Sequence, residues 1–222
     1  MEIGGLLLSW SGGKDSVMSL HELRGSGEKV VGLLTTFNEA FGRVSMHGVR
    51  MELIRTQADS LGIPLYEVWL PYPCSNELYE ERMGNAIRRF MEQGIRRFAF
   101  GDIFLEDVRA YRERQLGMVG AEALFPLWGR EPDELARSFI SLGFEAVVVC
   151  VDGGKLDPIF LGRRFDAGFL EELPEDVDPC GERGEFHTFV WSGPGFRNPV
   201  VFSFGERVLR DGFWFQDLIP RP

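Results

Sequence analysis

An apolar run from Ile3 to Trp10 leads directly into Ser11-Gly12-Gly13-Lys14-Asp15-Ser16, after which a helical pattern begins. A buried strand ends, two glycines turn the backbone, and a helix starts with its first amides unpaired. Glycine has no Cβ, so the backbone there can approach a ligand closely. Free amides and the positive end of the helix dipole attract an anion. Lys14 adds a mobile positive charge, and Asp15 offers oxygen to a hard cation. A phosphate chain with Mg²⁺ is the expected ligand, with a tight helix-capping turn as the alternative. The spacing is not that of the Walker loop, because Asp15 follows Lys14 and Leu8 stands five residues before Gly13. No Gly-x-Gly-x-x-Gly fingerprint is present.

Strand and helix patterns alternate through the first two-thirds. Strands are expected at Ile3–Trp10, Lys29–Phe37, Pro64–Leu70, Arg96–Phe100, Ala123–Pro126 and Ala146–Val151. Helices are expected at Ser16–Leu23, Val49–Leu61, Ser75–Gln93, Asp107–Val119 and Pro132–Leu142, with Asn38–Met46 irregular. This alternation predicts an α/β fold: a doubly wound parallel sheet with helices on both faces. Ligands of such sheets lie outside the carboxyl ends of the strands, where the glycine turn sits. The last third changes character. It is Gly-, Pro- and acid-rich over Asp152–Gly184 and strand-like from Phe186. A hairpin is expected from Val200–Phe204 and Gly205–Leu209, and a turn at Asp211-Gly212. The expected domains are a phosphate-binding unit over 1–151 and a small α+β subdomain over 152–222, packed over the phosphate site.

With 24 basic against 34 acidic residues the chain carries a net charge of −10, which disfavours nucleic acid and membrane surfaces as partners. Cys74, Cys150 and Cys180 are odd in number and widely spaced, which argues against a disulfide framework or a zinc site and for a reducing cytoplasm. No apolar run reaches the ~20 residues of a membrane span.

The hexapeptide resembles the PP-loop, Ser-Gly-Gly-x-Asp-Ser, of ATP pyrophosphatases, which cleave ATP between the α and β phosphates. Further segments narrow the resemblance: Ser45-Met46-His47-Gly48, Gly101-Asp102-Ile103, Pro126-Leu127-Trp128-Gly129-Arg130, Leu161-Gly162-Arg163 and Cys180-Gly181-Glu182-Arg183-Gly184-Glu185-Phe186-His187-Thr188. Together, from Leu6 to about Phe204, they are similar to the diphthine–ammonia ligase, or diphthamide synthase ATP-binding, family. The resemblance implies a nucleotide-hydrolase-like (HUP-type) fold and an adenylate-forming amide ligase that consumes ATP, ammonia and a carboxylate. In the family that carboxylate is the diphthine side chain of elongation factor 2. Arg183 and His187 depart from the family's Gly-Glu-Gly-Gly-Glu-Phe-Glu-Thr. Tyr111 replaces an arginine in Asp107–Glu113, and Ser192 replaces the aspartate of an Asp-Gly-Pro. These departures bear on the acceptor rather than on the nucleotide.

The expected nucleotide contacts are Ser9, Ser11, Gly12, Gly13, Lys14, Asp15, Ser16, Thr35, His47 and Gly101. The expected catalytic set is Lys14, Asp15, Asp102, Glu182 and Glu185, with Asp15 as the Mg²⁺ ligand, and Arg109, Glu113 and Thr188 are expected at the acceptor. Blander roles stand beside these. Lys14 can be a solvated lysine and Asp15 a helix cap. Asp102 can belong to a helix-start turn, and Glu182 and Glu185 to a solvated acidic loop. Thr188 can simply begin a strand. His47 and His21 can be structural, Trp128 a core residue, and Arg109–Glu113 a surface i,i+4 ion pair. A PP-loop RNA-modifying enzyme and a non-catalytic ATP-binding regulator are the competing functions. A homodimer is left open.

Overall fold

The computed structural model describes residues 4–221. The first sheet is built from β1 (Leu6–Ser9), β2 (Val30–Asn38), β3 (Arg43–Val44), β4 (Leu65–Leu70), β5 (Arg97–Ala99) and β6 (Glu122–Leu124). Its parallel strands run β4-β2-β1-β5-β6, and the short β3 pairs antiparallel with the far end of β2. The strand order reverses between β1 and β5, and crevices at such reversals hold ligands.

The helices between the strands are α1 (Lys14–Gly25), α2 (Met51–Leu61), α3 (Asn76–Glu92), α4 (Glu106–Gly117) and α5 (Pro132–Ser141). Side chains of a strand alternate between faces, and β1 shows the consequence. Leu6 and Leu8 join α1, α2 and α5 in one core, while Leu7 joins Ile87, Phe90 and Leu116 from α3 and α4 in the other. All three leucines are fully buried, each worth about 1.5–3 kcal/mol relative to exposure. The doubly wound architecture expected from the alternation is present. The helix read as starting from a Ser75 cap does so, with the Leu78 amide donating to Ser75 Oγ at 3.3 Å.

Strand β7 (Glu145–Asp152), expected to continue the parallel sheet, belongs instead to a second, antiparallel sheet. The order there is β8-β7-β10-β9, with β8 (Phe186–Ser192), β9 (Phe202–Arg210) and β10 (Phe213–Pro220). Periodicity shows that β7 is buried on both faces and is silent on its partners. The short helix α6 (Ala167–Glu172) lies between β7 and β8. The hairpin expected within Val200–Leu209 is a single strand: Gly205 lies inside β9 because a Cβ there would meet Asp217 Oδ2 at 2.9 Å. The turn is at Asp211-Gly212, both at positive φ, and joins β9 to β10. The core on the α1/α2 face runs without a break into Val147, Phe186, Phe189 and Val190 of the second sheet. No described helix is long and apolar enough to cross a membrane.

Candidate active site

The glycine turn sits at the carboxyl end of β1, at the reversal. Gly12 takes φ +79°, and Gly13 caps α1. The Gly13 amide donates to Ser11 Oγ (3.3 Å), and Ser16 Oγ donates to the Gly13 carbonyl (2.9 Å). The amides of Gly12 and Ser16 have no acceptor among the described residues, so the turn keeps donors for an anion. Thr35 is 1% exposed and its hydroxyl donates to the Trp10 carbonyl at 2.7 Å, which makes it a brace of the turn's entry. Gly101, after β5, packs on the first turn of α1, where a Cβ would lie 3.1 Å from the Asp15 carbonyl carbon.

The turn is also knitted to the second sheet. The Val190 amide of β8 donates to the Gly12 carbonyl (2.9 Å), and the Lys14 amide donates to Thr188 Oγ1 (3.0 Å). Gln57 of α2, fully buried, completes the seam. It donates to the Gly12 and Val190 carbonyls (2.9 and 2.6 Å) and accepts from Trp10 Nε1 (2.8 Å). The sequence reading missed Gln57. A polar residue on the apolar stripe of α2 (Leu53, Ile54, Ala58, Leu61) was the available signal.

Lys14 is not a solvated lysine. It is 3% exposed, binds both Asp15 oxygens at 2.9 Å, and donates to the Cys180 carbonyl. The Phe186 ring lies 5.5 Å from its ammonium. Burial works against this charge, but Asp15, Cys180 and Asp178 together hold the Lys14 pKa above its ordinary value. The loop before β8 is thereby drawn onto the turn. Asp178, unremarked in the sequence reading, shapes that loop by accepting the Cys180 and Glu182 amides (3.0 and 2.8 Å). Its Asp-Pro-x-Gly setting is the turn signal that marked it.

Glu182 crosses from this loop to the first sheet and accepts the Ile103 amide at 2.8 Å. Burial pushes its pKa up to about 7; the Ile103 amide opposes the rise, and Asp15 and Asp102 add to it. Glu182, far from Lys14 and Asp15 in sequence, therefore converges on them. Asp102, next to Ile103, is clasped by Arg112 through two bonds of 2.6 and 3.2 Å. Glu185 is not in a solvated acidic loop either. It is 4% exposed, its Oε1 accepts the Asp178 amide at 3.3 Å, and its Oε2 has no partner among the described residues. Arg109 and Glu113 form the exposed i,i+4 ion pair, at 2.8 Å, with Arg109 stacked on the half-buried Trp128. His21, on α1, contacts Phe144 edge-on.

His47 follows β3, and its Nδ1 lies 3.2 Å from the Thr188 carbonyl. Its ring stacks on His187 with centroids 4.4 Å apart. Burial brings the His47 pKa down to about 4, against the Thr188 contact and with help from Lys14. Burial likewise depresses His187, aided by His47, Lys14 and Lys155. Both shifts favour the neutral ring. His187 Nε2 is enclosed without a partner among the described residues.

The Glu182 shift has a measurable sign. Its folded-state pKa lies above the ordinary 4.5, so the stability it contributes is whole below pH ~4.5 and is lost as pH rises through about 7. The rise from 4.5 to about 7 is worth at most ~3 kcal/mol, and solvent screening of this part-exposed carboxyl reduces it to ~1 kcal/mol, so relative to the parent Glu182→Gln should gain about 2–4 °C in melting temperature between pH 4.5 and 8.5. A gap that stays constant with pH would show that the Glu182 carboxyl is not strained by burial.

Two family models match the chain, the diphthamide synthase N-terminal domain over residues 6–122 and the diphthamide synthase C-terminal domain over residues 131–216. The chain belongs to the diphthamide synthase family. Family relatives include the human diphthine–ammonia ligase, 24% identical over 90% of this chain and 83% of its own length. The zebrafish (Danio rerio) diphthine–ammonia ligase is 24% identical over 94% of this chain and 89% of its own. That of Schizosaccharomyces pombe is equally similar over 94% of this chain but 37% of its own length. The seam between the glycine turn and β8 joins residues from the regions matched by the two family models.

Proposed function

We propose that the protein is an ATP-dependent amide ligase that activates a carboxylate as its adenylate and passes it to ammonia, with diphthine as the acceptor named by its relatives. The carrying observation is that the anion-binding turn and the Cys180–Thr188 segment form one site, tied by Lys14 to Cys180 and by Lys14 to Thr188. A carboxylate is a poor electrophile. Attack of its oxygen on the α-phosphorus forms the acyl-adenylate and expels pyrophosphate; attack of ammonia on the carbonyl carbon then forms the C–N bond and expels AMP. In this reading Ser9, Ser11, Gly12, Gly13 and Ser16 cradle the leaving pyrophosphate, with Gly101 allowing close approach and His47 walling the turn. Lys14 offsets negative charge from within.

Mg²⁺ fits this donor set in one way. Among the described residues no three acidic, His or Cys side chains form a ready cage, but Mg²⁺ is commonly held by one or two carboxylates together with substrate phosphates. Asp15 would hold it, and the ion would supply charge neutralisation on the phosphates. Asp102, held by Arg112, stands at the same strand ends, while Glu182 and Glu185 frame the amine side. We take the boundary between the two units to lie between β6 and α5, since β7 pairs within the second sheet and the two family models meet there. A reducing cytoplasm suits its three free cysteines.

Repeated turnover to AMP and pyrophosphate should appear only when ATP, ammonium and a diphthine-bearing protein are all supplied; without ammonium the adenylation step alone should give at most a single-turnover release of pyrophosphate. Turnover without an acceptor would sink the ligase reading in favour of a regulator or hydrolase. Glu185→Gln should keep nucleotide affinity within roughly tenfold, about 1.4 kcal/mol, while amide formation falls much further. A joint fall in calorimetric ATP affinity would move Glu185 to the nucleotide side.

A further inference from the structure

The second sheet ends on β9, and that edge is open. On one side β9 bonds to β10; on the other it has no strand partner among the described residues. From Arg207 to Arg210 it pairs residue for residue with β10, and the irregularity of this ladder falls between Gln216 and Leu218. The stretch Glu206–Arg210 is exposed throughout, with Leu209 at 54% and Val208 at 40%. An open edge that carries exposed apolar residues is a template for another strand.

Edges are commonly blunted with charge, which repels a second strand when it is of one sign. The charges on β9 are of both signs. Neither Glu206 nor Arg210 has an ion-pair partner among the described residues. Alternation places Glu206, Val208 and Arg210 on one face of the strand, and Val208 and Arg210 both line the cleft beside β3. Four residues along a strand span ~13 Å, so Glu206 and Arg210 of one chain cannot meet. Arg207, on the other face, is turned inward onto Gln216 (3.1 Å) and the Leu161 carbonyl (2.9 Å).

Symmetry limits how such an edge can pair with itself. Two copies joined edge to edge by a two-fold axis normal to the sheet run antiparallel and keep each face on its own side. Opposed residues share a face, so the axis must pass through a residue that opposes itself. Centred on Glu206, Arg207 or Arg210, the pairing sets like charges together. Centred on Leu209, it leaves Glu206 opposite Gly212. Centred on Val208, it sets valine on valine and faces Glu206 with Arg210 of the other copy, twice. Arg207 then opposes Leu209 of the other copy, and the arginine stem covers the exposed leucine. The backbone agrees. The two-residue turn at Asp211-Gly212 makes Arg210 and Phe213 a bonded pair, so bonding alternates and the amides and carbonyls of Arg207 and Leu209 point outward.

We propose that the protein forms a two-fold dimer through β9. A second copy of this chain adds its own β9 antiparallel about Val208, and the two four-stranded sheets become one continuous sheet. Ion pairs between Glu206 and Arg210 flank the axis on one face. This inference does not depend on the reaction.

Sedimentation velocity from about 1 to 100 µM tests it, a range that suits a small interface. The unsubstituted protein should be dimeric at the upper end. Glu206→Arg and Arg210→Glu each put like charges together at both symmetric positions, and either should raise the dimer Kd by about tenfold or more. Mixed with each other, the two variants regain opposite charges at both positions. They should associate with a Kd within about threefold of the parent, which a misfolded chain would not do. A protein that stays monomeric across the range, or a dimer indifferent to both substitutions, overturns the proposal. So does a mixture that associates no better than the separate variants, because it removes the Glu206–Arg210 register.

Discussion

Asp15→Asn should lower acceptor-dependent pyrophosphate release about 10²–10³-fold, the usual cost of removing one electrostatic contact to a transition state. The change is nearly isosteric, so packing at the start of α1 is preserved. It has two consequences at once. The carboxylate that would meet Mg²⁺ is gone, and Lys14 loses the partner that binds it at 2.9 Å through both oxygens. Lys14 is buried, so its ammonium is then held chiefly by the Cys180 carbonyl and by Asp178 farther off, and its pKa should fall. Raising Mg²⁺ should not restore the rate. Pyrophosphate release at the parental rate, measured with saturating ATP, would remove Asp15 from the mechanism.

Gln57→Leu should cost about 3–5 kcal/mol of folding free energy. One amide side chain serves three buried groups: the Trp10 indole N–H, the Gly12 carbonyl and the Val190 carbonyl. Leucine fills the volume and satisfies none of them, and each buried polar group left unpaired costs about 1–3 kcal/mol. The Gly12 carbonyl keeps its bond from the Val190 amide, which sets the total below the sum of three full penalties. Urea denaturation followed by circular dichroism measures the loss. A change below ~1 kcal/mol would mean that water or a shifted backbone replaces the glutamine.

Local chemistry made much of this protein legible in its sequence. The strand–glycine–helix passage at Leu6–Ser16 announces itself because every part of it acts on its immediate neighbours. The same holds for the Ser75 cap and the Asp211-Gly212 turn, where a few adjacent residues decide the backbone. Long-range pairing was not legible. Nothing in the Val147–Val151 run says whether its edges meet parallel or antiparallel strands, so β7 was read into the wrong sheet. Gly205 looked like a turn because a glycine that admits a neighbouring side chain is indistinguishable, in sequence, from one that reverses the chain. The site divides in the same way. Lys14 and Asp15 were found from their motif. The inward aim of Lys14, the brace at Gln57 and the clasp of Arg112 on Asp102 depend on residues 166, 45 and 10 positions apart.

The bonds from β8 to the glycine turn constrain how this family can diversify. In many α/β enzymes a new substrate is gained by exchanging loops or appending a domain while the nucleotide loop stays untouched. Here the strand that would shape acceptor specificity also supplies the Val190 amide and the Thr188 hydroxyl that hold the turn. A recombinant grafting a foreign second unit onto residues 6–122 would inherit an unsupported turn unless the donor brought an equivalent strand. Change in acceptor preference would therefore be channelled into single substitutions on that strand and away from wholesale module replacement.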